Sequence, residues 1–252
     1  MTKAPELAPA TVSEHDGVRY LHLGTPWVQG AMRLRTPAKI ELEYVQRMMV
    51  WTLLRPPAEL TRGHAVQLGL GAGAITRFCH GAMKMRCTAV ELNPEVIAAC
   101  RAFFRLPDDG ARLAVVQQDA QHWLDAAETG SVDVLCVDLY DHEAAGPVLD
   151  SEAFYRACAR VLTDTGVMTV NLFGRDARFE RSLQRIAAAF ADGTVFALRP
   201  TREGNTIVAA LRRGALPERD ELQARAQQID TRLGLPERKW LRMIRALPAD
   251  PR

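Results

Sequence analysis

Residues 65–91 read AVQLGLGAGAITRFCHGAMKMRCTAVE, and this stretch decides the fold. Ala65–Leu68 is a short apolar run of strand length, and it gives way at once to Gly69-Leu70-Gly71-Ala72-Gly73. The chain then reads as helix through about His80, and Arg86–Val90 is a second strand closed by Glu91. Glycines at a strand-to-helix turn let the backbone bend sharply and let a ligand approach it closely. A carboxylate about 20 residues further on, at the end of the next strand, is placed to accept both hydroxyls of a ribose. The stretch is the first strand–helix–strand unit of a nucleoside-binding sheet, with Gly69, Gly71, Gly73 and Glu91 as its candidate cofactor-binding residues.

Working outward, the alternation continues. Pro94–Phe104 is a helix, Leu113–Val116 a third strand, and a helix lies near Gln121–Ala127. Val132–Val137 is the fourth strand, followed by the helix Ser151–Leu162, the fifth strand Val167–Leu172 and the helix Asp176–Phe190. Thr194–Leu198 and Thr206–Leu211 flank Gly204-Asn205, which is hairpin chemistry. Strands alternating with helices predict a doubly wound α/β protein with a mostly parallel, seven-stranded sheet. Upstream, Val18–Leu23 and Trp27–Leu34 form a small N-terminal β-hairpin around Gly24-Thr25-Pro26. From Pro37 to Leu54, Ile40, Tyr44, Met48 and Trp51 recur at helical spacing. The boundaries that follow are a flexible tail at 1–15, hairpin and helix at 16–57, the Rossmann-like nucleoside-binding catalytic domain at 58–213, and C-terminal helices at 217–233 and 236–247 within 214–252.

Acidic residues recur where the strands end. Asp119 follows the third strand and is placed to receive an adenine amino group, with Ala120 beside it. Asp138 ends the fourth strand and Asp141 lies in the loop after it. The carboxyl ends of parallel strands are the rim where open α/β sheets bind ligands. Each acid alone also fits a helix N-cap. A dinucleotide GxGxxG pattern is the rival reading; Ala74 fits it, whereas Asp119 and the closing hairpin do not belong to it.

Composition excludes several classes. The 252 residues are 48% apolar and 25% charged, and the formal charge of +2 is too small to imply a nucleic-acid partner. Cys79, Cys87, Cys100, Cys136 and Cys158 are odd in number, form no CxxC pair, and read as buried free thiols. No leader-type apolar core opens the chain and no run approaches the ~18 apolar residues of a membrane helix, so a cytoplasmic location without a membrane partner is expected. No Cys/His cluster has zinc spacing, so no metal is expected, and neither a Walker loop nor a Gly-x-Ser-x-Gly elbow occurs. His142 reads as a surface histidine, and His122 as partly buried scaffolding beside Trp123.

The run VDLYDHEAAGPVLDSEAFYRACARVLTDTGVM, Val137–Met168, is similar to the signature of the spermidine synthase (polyamine aminopropyltransferase) family. The matching elements are Asp138 and Asp141 spaced D-x-x-D, then Gly146-Pro147, then Phe154-Tyr155 opening a helix. The glycine loop, the strand ending in Glu91 and the Asp119 segment line up in the same order. The resemblance implies the Rossmann-like fold of S-adenosylmethionine-dependent methyltransferases and a homodimer. It also implies transfer of an aminopropyl group from decarboxylated S-adenosylmethionine to a small-molecule amine such as putrescine. Asp138 is then the general base, while Asp141 and Tyr140 hold the amine. Ala72 stands where the family usually carries an acid in the glycine loop, and His142 where it usually carries proline. An S-adenosylmethionine-dependent small-molecule methyltransferase is therefore the second reading, and a non-catalytic nucleoside-binding protein the third.

Overall fold

The computed structural model describes residues 7–140, 149–173 and 178–246. The chain opens with β1 (Ala10–His15), β2 (Val18–Leu23) and β3 (Gly30–Arg33), then α1 (Glu43–Met48) and α2 (Trp51–Leu54). The central region runs β4 (His64–Leu68), α3 (Ala74–Arg77), β5 (Arg86–Glu91), α4 (Pro94–Phe103), β6 (Leu113–Gln117), α5 (Ala120–Ala126) and β7 (Val132–Val137). It continues through α6 (Glu152–Val161), β8 (Leu162–Phe173), α7 (Phe179–Ala189), β9 (Val195–Leu198) and β10 (Asn205–Leu211). The C-terminal part holds α8 (Arg219–Leu233), α9 (Glu237–Leu241) and β11 (Ile244–Ala246).

The main sheet has eight strands in the order β11-β9-β10-β8-β7-β4-β5-β6. The five strands from β8 to β6 are parallel, and β10, β9 and β11 extend the β8 edge antiparallel. The chain winds from β4 through β5 to β6, then crosses back to place β7 on the other side of β4. That reversal makes the gap between β4 and β7 a topological switch point, the place where such sheets bind ligands. Apolar residues sit on both faces because both are covered. Val66, Leu68, Leu135 and Val137 pack with Phe154, Tyr155, Leu183 and Ile186 of α6 and α7. Ala65, Cys87, Val134 and Cys136 pack on the other face with Met48, Trp51 and Ile229 of α1, α2 and α8. All five cysteines are free and buried. Among the described residues, no helix is long and apolar enough to cross a membrane.

The structure corrects four details of the sequence reading. The sheet has eight strands, because Ile244–Ala246 pairs with β9 instead of continuing a helix to 247. The N-terminal element is a three-stranded sheet in the order β1-β2-β3. Its extra strand, Ala10–His15, lies within the segment read as a tail; only Ala10 and Val12 are partly buried, too short an apolar alternation to announce a strand. The helix read over 37–54 is two short ones, because Met48, Met49, Val50 and Trp51 are all fully buried. One continuous helix buries a stripe, not four successive positions.

Candidate active site

The glycine loop is built from behind. Gly69, Gly71 and Gly73 have φ of +83°, +50° and +69°, in the left-handed region that only glycine adopts freely. Glycine is required twice over at position 69, since a Cβ there would lie 2.2 Å from the Asp138 carbonyl oxygen. The loop's carbonyls are tied to the scaffold one after another. Gln67 Nε2 donates to the carbonyls of Gly69 (2.8 Å) and Leu70 (3.1 Å), while its Oε1 accepts from Thr76. Cys100 Sγ donates to the Gly71 carbonyl at 3.0 Å, and the buried Arg77 guanidinium donates to that of Ala72. Burial lowers Arg77 only to about 10, so it stays charged at neutral pH behind the loop. These three anchors were not read from the sequence, where they look like ordinary core positions of a strand and two helices.

Glu91 ends β5 beside the loop. Its Oε2 accepts the Leu70 N–H at 2.9 Å and its Oε1 the Asn93 N–H at 2.8 Å. Burial pushes its carboxyl above the usual carboxylate range, and the backbone N–H bonds pull it back. Asp119 caps α5, accepting the His122 N–H at 3.0 Å, and its side chain remains 38% exposed. Ala120 is buried at the first position of that helix. His122, read as partly buried, is 78% exposed; its ring points off the solvent side of α5.

Asp138 follows β7 at the switch point, and its N–H donates to the Leu68 carbonyl at 2.9 Å. Asn171 Nδ2, near the end of β8, donates to its Oδ1 at 2.9 Å. Tyr44 Oη, from α1, donates to its Oδ2 at 3.3 Å. Burial raises the Asp138 carboxyl above its ordinary value, and these two donors oppose the rise. Burial and the neighbouring carboxylate hold the Tyr44 phenol well above its usual value, so it stays a donor. Tyr140 Oη donates to the Asn171 carbonyl at 3.0 Å. Asp141 and His142 lie outside the described residues, as do Gly146 and Pro147.

A narrow cleft opens here, lined by Gln29, Gly30 of the N-terminal sheet, Tyr44, Gly71, Ala72 and Asp138. Gly69–Gly73, Glu91 and Asp138 come together around β4, β5 and β7, with Asp119 one strand further out; Glu91 and Asp119 do not line the cleft itself. The sequence does not mark Tyr44 or Asn171 as site residues: Tyr44 reads as one of the apolar positions at helical spacing, and Asn171 sits inside an apolar strand. A polar side chain in such a run was the available clue.

A second depression, of about 600 Å³, lies at the opposite ends of the parallel strands, lined by Arg156, Arg160, Arg212, Arg213 and Asp164. Arg156, Arg212 and Arg213 pair with Glu152, Asp192 and Asp164, and Arg160 is spent on the carbonyls of Leu124 and Ala127. It is an ion-paired surface remote from the switch point.

Sheet order, glycine loop and acidic strand ends define a Rossmann-like fold, similar to that of spermidine synthase and methyltransferase structures. The family described as methyltransferase domain matches residues 66–170. The polyamine aminopropyltransferase of Chromobacterium violaceum is 33% identical, over 89% of this chain and 84% of its own. That of Neisseria meningitidis is 31% identical, over 93% and 88%. The structure of a probable spermidine synthase from Corynebacterium glutamicum superposes with a TM-score of 0.73 at 19% identity, covering 100% of this chain and 98% of that one. The chain belongs to the polyamine aminopropyltransferase family and is a transferase.

Proposed function

We propose that the chain moves an aminopropyl group from decarboxylated S-adenosylmethionine to a small-molecule amine such as putrescine, with Asp138 as general base. The observation that carries the reading is the Asp138 carboxylate, held by Tyr44 and Asn171 in the cleft that touches the glycine loop. An alkylamine has a pKa near that of lysine, about 10.4, and attacks only when neutral. Its nitrogen lone pair forms the new bond to the carbon beside the sulfonium as the carbon–sulfur bond breaks. Methylthioadenosine leaves with that electron pair, and the proton lost by nitrogen passes to Asp138. The sulfonium is already a good leaving group, so the residues contribute mainly position: the glycine loop, Glu91, Asp119 and Ala120 on the nucleoside, Asp138, Tyr140 and Asp141 on the amine. The same reading has the chain working in the cytoplasm as a homodimer.

Methyl transfer from intact S-adenosylmethionine is the second reading, and Ala72 is what favours it. A carboxylate at that loop position would repel the carboxylate of the intact donor, and alanine offers none. Gly30 packs so tightly on Ala72, where a Cβ would stand only 2.5 Å from the Ala72 nitrogen, that no larger group faces it from β3. The decisive experiment incubates the protein with each donor and a panel of amines and follows methylthioadenosine against S-adenosylhomocysteine. Methylthioadenosine from the decarboxylated donor is expected. S-adenosylhomocysteine alone would make it a methyltransferase, and neither product a nucleoside-binding protein.

A further inference from the structure

One of the two side chains that hold Asp138 is itself the end of a chain of amides. Asn171 Nδ2 donates to Asp138 Oδ1 at 2.9 Å, and Asn205 Nδ2 donates to Asn171 Oδ1 at 3.2 Å. The chemistry of the first link dictates the second. An ionised carboxylate only accepts, so the Asn171 amide must present its NH₂ to Asp138 and its oxygen away from it. That oxygen sits inside the protein, with Asn171 itself only 3% exposed, and a buried acceptor needs a donor. Asn205 supplies it. Sheet register makes the contact: in the antiparallel β8–β10 pair Asn171 faces Ile207 and Asn205 faces Phe173, so the two asparagines are diagonal neighbours on one face.

Asn205 is itself fixed. Its N–H donates to Thr201 Oγ1 at 3.2 Å, and its carbonyl accepts the Thr201 N–H at 2.8 Å, with Thr201 buried. Tyr140 adds a third hold by donating to the Asn171 carbonyl at 3.0 Å. At the far end, Asp138 Oδ1 is occupied by the amide, while among the described residues Oδ2 has only the longer Tyr44 bond at 3.3 Å.

We propose that Asn205 is a positioning residue: it locks the Asn171 amide, which fixes the Asp138 carboxylate with Oδ1 occupied and Oδ2 turned to the nucleophile. The proposal rests on Asp138 being the base. Among the described residues, the titratable groups around that carboxylate are Tyr44 from α1, Cys136 from β7 and Tyr140; burial holds the Tyr44 phenol and the Cys136 thiol above their ordinary values, so neither is charged near neutral pH. The amide chain is then the main polar control on how readily Asp138 ionises.

Two substitutions separate this from a merely structural role. Asn205→Ala removes a neutral hydrogen bond and should lower kcat roughly 2- to 13-fold, the equivalent of about 0.5–1.5 kcal/mol. Asn205→Asp is nearly isosteric, but it accepts where asparagine donates. It draws the Asn171 NH₂ to itself and turns the Asn171 oxygen onto Asp138, so kcat should fall roughly 10- to 150-fold, the range for a hydrogen bond to a charged group. In both variants donor KM should stay within about twofold, and the acid limb of the rate profile should move to higher pH. The Asp138 carboxyl is also titrated directly by carbon-13 resonance in wild type and both variants, a readout that needs no turnover. A higher midpoint in Asn205→Ala, and a still higher one in Asn205→Asp, supports the relay. That result in a protein that transfers nothing to any amine leaves the relay standing and removes the proposed function instead. An unmoved midpoint, or two variants alike in rate and pH profile, overturns it. Should the aspartate variant fail to fold, the alanine midpoint alone decides.

Discussion

Glu91 holds Leu70 across 21 positions of sequence, its Oε2 accepting the Leu70 N–H at 2.9 Å, while Oε1 accepts the Asn93 N–H at 2.8 Å. The residue proposed to bind ribose therefore also braces the glycine loop. Hydrogen bonds to a charged group contribute about 1.5–3 kcal/mol, so Glu91→Ala should weaken methylthioadenosine binding roughly 10- to 150-fold. It should also lower the thermal midpoint, because the Leu70 N–H loses its acceptor. Calorimetry and melting of one preparation check both. A lower midpoint with an unchanged dissociation constant would assign Glu91 to the loop alone.

The N-terminal sheet meets the loop at Gly30, where a Cβ would stand 2.5 Å from both the nitrogen and the Cβ of Ala72. Backbone cannot yield as a side-chain tip does. Gly30→Ala should destabilise by about 1–3 kcal/mol, the usual cost of overpacking, and weaken nucleoside binding by displacing the loop. Gly81→Ala, where a Cβ would meet nothing within 4 Å among the described residues, is the matched control and should leave binding unchanged. Equal binding by both variants would mean that β3 does not set the loop's position.

Asp138→Asn keeps the side-chain size and removes the proton acceptor. Turnover should fall by ~10²–10⁴, the usual contribution of a positioned base, with much less change in nucleoside affinity. Burial raises the Asp138 carboxyl above its ordinary value, so in wild type the rate should climb as pH rises through that higher value and Asp138 loses its proton. Both the acid limb and the activity should be missing from the asparagine variant. Full turnover in that variant would take Asp138 out of the mechanism.

The parts of the site that follow from local backbone demands were legible in the sequence; the parts that follow from packing were not. A strand, three glycines and a helix announce a loop, and Glu91 announces itself by ending the next strand. Asp119 was read as a ligand group with an N-cap as its rival, and the structure finds the cap formed by one oxygen while the side chain stays partly exposed. The two roles are compatible, which is why spacing alone could not separate them. Tyr44 reaches Asp138 over 94 positions and Asn171 over 33, and no local pattern encodes those separations. β1 and β11 were missed for a related reason. One alternates only at Ala10 and Val12 and is otherwise exposed, and the other is three residues long, so pairing with a neighbour defines each of them.

Glu237 is a buried carboxyl with no part in the cleft. It is fully buried at the start of α9, and burial pushes its pKa up to about 9, with Asp230 adding to the rise and Thr52 opposing it. The hydrogen bonds agree with a protonated acid. Thr52 Oγ1 lies 2.6 Å from the Met49 carbonyl and also in contact with Glu237 Oε1, yet a hydroxyl has one proton to give. A protonated Glu237 resolves this by donating to Thr52 while Thr52 donates to Met49. In the unfolded chain the same group ionises near about 4.3. Between that value and about 9 the folded state holds a proton that the unfolded state has lost, so stability falls as pH rises, and the fall levels off once the folded group also ionises. Glu237→Gln imitates the protonated form, its NH₂ donating to Thr52, and has no proton to lose. Urea unfolding at pH 5 and pH 8 should find the glutamine variant gaining on wild type at the higher pH, by up to about 1.4 kcal/mol per pH unit. A wild-type-to-variant difference that is the same at both pH values would mean Glu237 is ionised in the folded protein, and the Thr52 contact would then be a hydroxyl donating to a carboxylate.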